Sequence, residues 1–308
     1  MWGYFYIFVI IMGIGICPMA HANATFDDAV RDTIVACGDI GREFDDMKTL
    51  AGINTAVTGV GTATGIGAVA VGLSKVGLDE QIRALEQQIC DAGGCDPTSV
   101  DAMSDSDFFN YILIPMGQID ELKRLNIKSK KLGNWRTGLL AGNTATHVAG
   151  AIIAGKNHME KSTRQKIDTC VAAVRDLRRA VIQARLDHVD HDHINYAVNI
   201  INECGPWEFI DIEKIDRRAN GAMWSSITGG TVGAAGVATS IAANSPETRN
   251  NNSETGNKHE KNLNTASNIL GIGATAASAT ATVFNASQIS IIRRAVNIAQ
   301  QCQGAIND

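Results

Sequence analysis

Aromatic residues and prolines are scarce in this 308-residue chain, which has 8 Phe, 4 Trp, 4 Tyr and 5 Pro. With so few aromatics and no convincing alternation of apolar and polar residues, strand signals are weak and an all-β architecture is disfavoured. Charge is absent in a more telling way. No Asp, Glu, Lys or Arg occurs within residues 49–74, 137–155, 219–246 or 262–292, which are built mainly from Gly, Ala, Thr, Ser and aliphatic residues. Basic excess is missing too: the formal net charge is −5, which argues against a nucleic-acid binder, whose footprint is a basic surface. The Gly-rich stretches 61–67 and 229–236 lack the Gly-Lys-Ser/Thr ending and preceding strand of a phosphate-binding loop. No constellation of nucleophile, base and orienting group is visible, so the expectation is a protein without enzymatic activity and without a cofactor.

What is present begins at the N-terminus. Trp2 to Cys17 is an almost unbroken apolar run, followed by Pro18 and the small-residue pattern Ala20-His21-Ala22. This reads as a signal peptide over residues 1–22, although no Lys or Arg precedes the apolar core. Ile16 is too large for lipoprotein processing at Cys17. Removal of the signal leaves six cysteines, Cys37, Cys90, Cys95, Cys170, Cys204 and Cys302. An even number in an exported chain favours disulfides, and sequence alone leaves fifteen pairings open. The local pairing expected is Cys90 with Cys95, across the turn Asp-Ala-Gly-Gly. The expected location is the periplasm, the cell envelope or the exterior, with membrane association as an open alternative.

Helical spacing of apolar residues dominates the remainder, and the fold class expected is an all-α helical bundle. Phe26, Val30, Ile34 and Cys37 mark a helix over 26–48, and Leu78, Ile82, Leu85 and Ile89 mark a three-turn helix over 78–90. Pro115 predicts a kink or restart in the helix that begins before Phe108. Ile167, Cys170, Val174, Leu177 and Val181 mark the buried face of a long charged helix. Gly205-Pro206 breaks the next one, and the Asn-rich stretch 244–262 reads as an exposed flexible linker. The pattern Ala197-Val198-Asn199-Ile200 with Cys204 recurs as Ala295-Val296-Asn297-Ile298 with Cys302. Two related helical halves are therefore expected, 23–190 and 191–308.

The uncharged segments carry small residues four apart: Gly61 and Gly65, Gly138 and Gly142, Gly229 and Gly233, and Gly273 with Ala277 and Ala281. Residues at that spacing share a helix face, and a stripe without side chains lets helices approach closely. Each segment has about the length needed to span a bilayer. Asn54, Asn143, His147 and Asn285 lie inside these segments, however, and a spanning topology would place Cys90 and Cys95 in the cytosol. The preferred reading is a disulfide-braced structural or interaction protein of the envelope that binds a protein partner or itself. The alternative is a membrane-embedded or pore-forming protein, secreted soluble and inserting later.

Candidate metal ligands are concentrated in Asp187, His188, His191, Asp192 and His193. Were they helical, Asp187 with His191 and His188 with Asp192 would each lie one turn apart, and imidazole with carboxylate suits a divalent transition metal. A solvated inter-helix turn is the plainer reading. Trp135 and Trp224, near the starts of two uncharged segments, mark either a membrane interface or the ends of a bundle core. His147 is expected to be a hydrogen-bonded buried group, with a proton-relay role as its functional alternative.

Overall fold

In the computed structural model the described residues are 26–90, 105–186, 189–245, 248 and 254–307, with side chains described except at 105–116 and 254–257. Among them no strand occurs. The helices are α1 (Phe26–Cys37), α2 (Gly41–Ile89), α3 (Asp105–Lys156), α4 (Lys161–Leu186), α5 (His191–Cys204), a 3-10 turn at Gly205–Phe209, α6 (Ile212–Asn244) and α7 (Glu254–Asn307).

Several boundaries differ from the sequence expectation, each for a local reason. The helix expected over 26–48 is broken after Cys37, where the Gly38 N–H closes on the Ile34 carbonyl and a Cβ at Gly38 would sit 2.9 Å from that oxygen. Residues 78–90 do not form a separate helix, because α2 runs through 49 residues to Ile89. Likewise α3 continues through Pro115 rather than restarting there. The second part of the Asn-rich stretch is helical rather than a flexible linker: α7 begins at Glu254, and Glu260 within it pairs with Lys75. Tertiary partners thus hold polar residues in helix where composition alone favours a loop.

Packing divides the chain into two compact units that interleave in sequence rather than following each other as consecutive halves. Among the described residues one comprises 26–40, those of 165–208 and 298–307; the other comprises those of 41–164 and 209–297. The first is the disulfide unit. Its core contains Ile167, Cys170, Val174, Leu177 and Val181 of α4, the face that the spacing predicts, together with Ile194, Ala197 and Ile200 of α5 and Trp207. Disulfides join Cys37 to Cys170 and Cys204 to Cys302, each typically contributing about 2–4 kcal/mol by restricting the unfolded chain. Cys90 is also disulfide-bonded; the expected partner, Cys95, lies outside the described residues.

The second unit is a four-helix bundle of α2, α3, α6 and α7. Contacts run in opposite numerical order on every neighbouring pair. Along α2 and α3, a Cβ at Gly65 would meet Asn143 and one at Gly72 would meet Arg136. Along α3 and α6, Thr137 meets Ser240 and Gly229 faces His147. On α2 and α7, Asn54 meets Asn285 and Lys75 meets Glu260. Adjacent helices are therefore antiparallel, the up-down arrangement that long helices joined in sequence adopt.

Candidate functional site

The axis of this bundle is polar. Within the four uncharged segments, Leu140 and Ile292 are the only large apolar side chains in the described core. In their place stand Asn54 and Thr58 of α2, Asn143 and His147 of α3, Ser226 and Ser240 of α6, and Ser267, Ser278, Asn285 and Gln288 of α7, each at most 1% exposed. Large apolar residues of the same segments face outward: Ile53, Val60, Ile66 and Leu73 on α2, Val148 and Ile152 on α3, Ile227 and Ile241 on α6, and Ile269, Ile272 and Val283 on α7. Beyond the segments the order reverts. Phe44 and Met47 precede the first and Leu78 and Ile82 follow it, all buried.

Glycines make the polar axis possible, by a route other than backbone contact. They provide sockets for the polar side chains of neighbouring helices. A Cβ at Gly229 would fall 1.9 Å from His147 Cε1, one at Gly65 would lie 2.3 Å from Thr275 Oγ1, one at Gly61 2.4 Å from Thr146 Oγ1, and one at Gly233 2.6 Å from Thr144 Oγ1. Such separations are closer than van der Waals contact allows, so no larger residue fits without a shift. The other small-residue pairs need correction. Gly138 and Gly142 have nothing within 4 Å of a built Cβ, and α3 instead turns Arg136, Leu140, Asn143, His147, Gly150 and Ala154 inward. On α7, Gly273 is exposed and Ala277 half-buried, and the buried stripe is Gly271, Ala274, Ser278 and Ala281.

At mid-bundle the His147 imidazole lies between α6 and α7. Its Nε2 is 3.0 Å from the Ala274 carbonyl and 2.9 Å from Ser278 Oγ. A carbonyl only accepts, so Nε2 carries the proton and donates to Ala274 O. Ser278 Oγ in turn donates to Asn143 Oδ1 at 3.2 Å. Toward one end, Thr282 Oγ1 donates to Thr58 Oγ1, Asn54 Nδ2 donates to Asn285 Oδ1, and Asn157 Nδ2 donates to Gln288 Oε1. Toward the other end, Ser267 Oγ donates to the Gly236 carbonyl, and Arg136 donates to both the side chain and the carbonyl of Asn264. Several buried polar atoms along this axis have no protein partner, among them His147 Nδ1, Asn143 Nδ2, Ser226 Oγ, Asn54 Oδ1 and Asn268 Oδ1. A buried unmatched polar atom costs about 1–3 kcal/mol, so these positions suit bound water or a polar guest better than apolar filling.

Charged groups stand at both ends of the axis. At one end Lys75 Nζ contacts Asp79 at 2.6 Å and Glu260 at 3.3 Å, and Ser129 donates to Asp79. At the other, Lys48, Arg293 and Asp45 line a cavity of about 520 Å³ with Thr49, Gly52, Ile53 and Ile289. Uncharged segments one and four thus begin and end beside each other. The Arg218 guanidinium lies over the Phe284 ring, 5.6 Å from its centre. Trp135 and Trp224 are both exposed, at 69% and 61%, which removes the reading in which they cap the core. Ser226 is buried beside Gly150, so the two indoles stand about 25 Å apart along the axis at 1.5 Å per residue.

The His/Asp cluster does not occupy one helix, because α4 ends at Leu186 and α5 starts at His191. Asp187 and His188 lie outside the described residues. His191, Asp192 and His193 form the exposed first turn of α5, and the pairings of Asp187 with His191 and of His188 with Asp192 each involve a residue outside the described ones. The group of potential metal ligands that does converge is Cys37, Cys204 and Cys302, whose sulfurs lie within 4.8 Å of one another; all three are held in disulfides. Comparison with family models, with curated proteins and with solved structures returns no match.

Proposed function

We propose that this is an exported protein whose four-helix bundle embeds in a lipid membrane, either as a pore-former or as a membrane scaffold. The observation that carries this reading is the inverted polarity of the uncharged segments, with Asn, His, Ser and Thr inside and Ile, Val, Leu and Trp outside. In water the arrangement forfeits hydrophobic burial and sequesters polar groups. In lipid the first cost vanishes, since the outward faces meet hydrocarbon, and the second is reduced where the inward groups hydrogen-bond across helices. Helices α2 and α7 contain stretches long and apolar enough to cross a membrane, and only 28% of each such window is buried within the protein. Outward hydroxyls such as those of Thr64, Thr231 and Thr280 donate to carbonyls of their own helix, which satisfies those donors without water. The axial separation of the tryptophans suits indoles at the two faces of a hydrocarbon layer about 30 Å thick.

Disulfides refine the reading. Cys37 precedes α2 and Cys90 follows it, and both are bonded. Both ends of that helix are thus chemically adapted to an oxidising environment, which disfavours residence across a membrane with one face in the cytosol. Export, supported by the apolar run Trp2–Cys17 and the even cysteine count, followed by insertion from outside, accommodates both ends. Twice a short helix ending in cysteine precedes a long hairpin that a second cysteine closes, Cys37–Cys170 enclosing α2–α3 with Cys170 on α4, and Cys204–Cys302 enclosing α6–α7 with Cys302 near the end of α7 itself. That order, with the repeated Ala-Val-Asn-Ile pattern, supports a duplicated helical unit.

Flotation tests the proposal. Purified oxidised protein mixed with phospholipid vesicles is expected to rise with them through a density gradient and to resist carbonate extraction. Recovery at the bottom as a monodisperse soluble species would sink the membrane reading and restore the soluble interaction protein. Dye release from the same vesicles distinguishes a pore from a scaffold.

A further inference from the structure

We propose that the two disulfides of the disulfide unit form a single thiol–disulfide exchange site, in which Cys37 is the attacking residue and the Cys204–Cys302 bond its target. The sulfurs of Cys37, Cys204 and Cys302 lie within 4.8 Å of one another, and Cys170 falls outside that set although it is bonded to Cys37. All four cysteines are buried. Cys37 is the last residue of α1 and Cys204 the last of α5, and each is followed by a glycine, Gly38 and Gly205. Nucleophile and target are therefore placed at helix ends, where small displacements are least costly.

The step balances without a further oxidant. An external dithiol attacks Cys170 Sγ and forms a mixed disulfide with it as Cys37–Cys170 breaks, leaving a thiolate on Cys37; the dithiol's second thiol then displaces Cys170 as a thiol and closes the dithiol's own disulfide. That thiolate attacks the sulfur of Cys204 or Cys302; the old bond breaks as the new one forms, and the displaced sulfur leaves as a thiolate that takes up a proton. In this exchange one disulfide is consumed and one is made; overall the dithiol is oxidised, and two protein disulfides become one with two free thiols. The consequence is topological. Native pairing closes the α2–α3 and α6–α7 hairpins separately, whereas a Cys37–Cys204 or Cys37–Cys302 bond ties one half of the chain to the other. The site thus interconverts independent hairpins and covalently coupled ones.

Full-length Cys170→Ser and Cys37→Ser variants test this by position. Each is produced in an oxidising compartment, acid-quenched, alkylated in denaturant and peptide-mapped without reduction. In Cys170→Ser the alkylated thiol is expected to shift from Cys37 to Cys204 or Cys302, with Cys37 found in a disulfide. In Cys37→Ser the label is expected to stay on Cys170. Label on Cys37 alone in the first variant, or equal scrambling in both, overturns the proposal. Folded wild-type protein treated with substoichiometric dithiothreitol gives a check that does not depend on how the variants fold. Appearance of Cys37-linked peptides containing Cys204 or Cys302 supports exchange, and recovery of native pairs with free Cys37 and Cys170 only refutes it.

Discussion

The disulfide unit and the bundle unit are built from helices of the same chain, yet they bury opposite kinds of residue. In the first, Ile167, Val174, Leu177, Ile194 and Ile200 are inside, while Arg175 and Arg178 reach Glu208 on the surface. In the second, over the uncharged segments, Asn54, Asn143, His147 and Asn285 are inside, and Ile66, Leu73, Ile152 and Ile272 are outside. A core that excludes water needs apolar filling. A bundle whose surroundings are themselves apolar gains little from burying more aliphatics, and helices there associate through small residues and hydrogen bonds. On the membrane reading proposed above, the contrast reports the solvent for which each unit is built.

Substitutions that respect one solvent and violate the other sharpen the comparison. The largest effect is expected from Leu177→Ala, which empties a fully buried site in the disulfide unit and should cost about 2–5 kcal/mol in chemical denaturation. An unchanged midpoint would mean that this core is not packed as described. Next is Ile66→Lys on the outward face of α2. A lysine at the centre of a spanning helix costs about 2.5–3.5 kcal/mol, so vesicle partitioning should fall by roughly two orders of magnitude. Val35→Lys, also exposed but in the disulfide unit, should leave partitioning as it was. If both variants float like wild type, the bundle surface does not face lipid.

Smaller effects separate the two glycine classes. Gly229→Ala places a methyl against the His147 ring and should destabilise by about 1–3 kcal/mol through overpacking. Gly138→Ala meets open space and should stabilise by up to about 1 kcal/mol through helix propensity. Thermal unfolding in detergent reads both, and destabilisation by Gly138→Ala would show that α3 packs on the face inferred from sequence spacing.

The smallest contrast is in pH. Burial raises the carboxyl of Glu86 above its ordinary value of 4.5, the repulsion of Glu260 adding to it and Arg83 opposing it. The protonated acid is thus favoured by folding, a contribution present at pH below 4.5 and lost as pH rises through the folded value. Hydrogen bonding and charge from Arg175, with a lesser share from Arg178, hold the carboxyl of Glu208 below 4.5. That contribution is present above 4.5 and is lost as pH falls through the depressed value. Glu86→Gln and Glu208→Gln should therefore alter the pH dependence of stability in opposite senses, and parallel changes would contradict these environments.

Helices were legible from residue spacing, and so was the buried face of α4, because in the disulfide unit the apolar stripe and the core stripe coincide. In the bundle unit they do not. Gly61 and Gly65 lie on the packing face of α2, whereas Gly138 and Gly142, at the same spacing on α3, lie off it. The signal that was available is polar periodicity. Asn143, His147 and Gly150 recur at three- to four-residue intervals, as do Asn54, Thr58, Gly61 and Gly65, and an apolar-face reading discards this pattern. For the His/Asp cluster the spacing did not reveal the break between α4, which ends at Leu186, and α5, which starts at His191.

By itself the sequence determined that the chain is helical, because apolar residues recur with the helical period and strand formers are few. It also determined where four long uncharged stretches begin and end, since charge is read directly from composition. Which face of each stretch turns inward was decided only by tertiary structure. A glycine is a socket only when a neighbouring helix brings His147 or Thr275 to fill it. Pairing of Cys37 with Cys170 and Cys204 with Cys302 was likewise a matter of three-dimensional proximity, because fifteen pairings satisfy the same count.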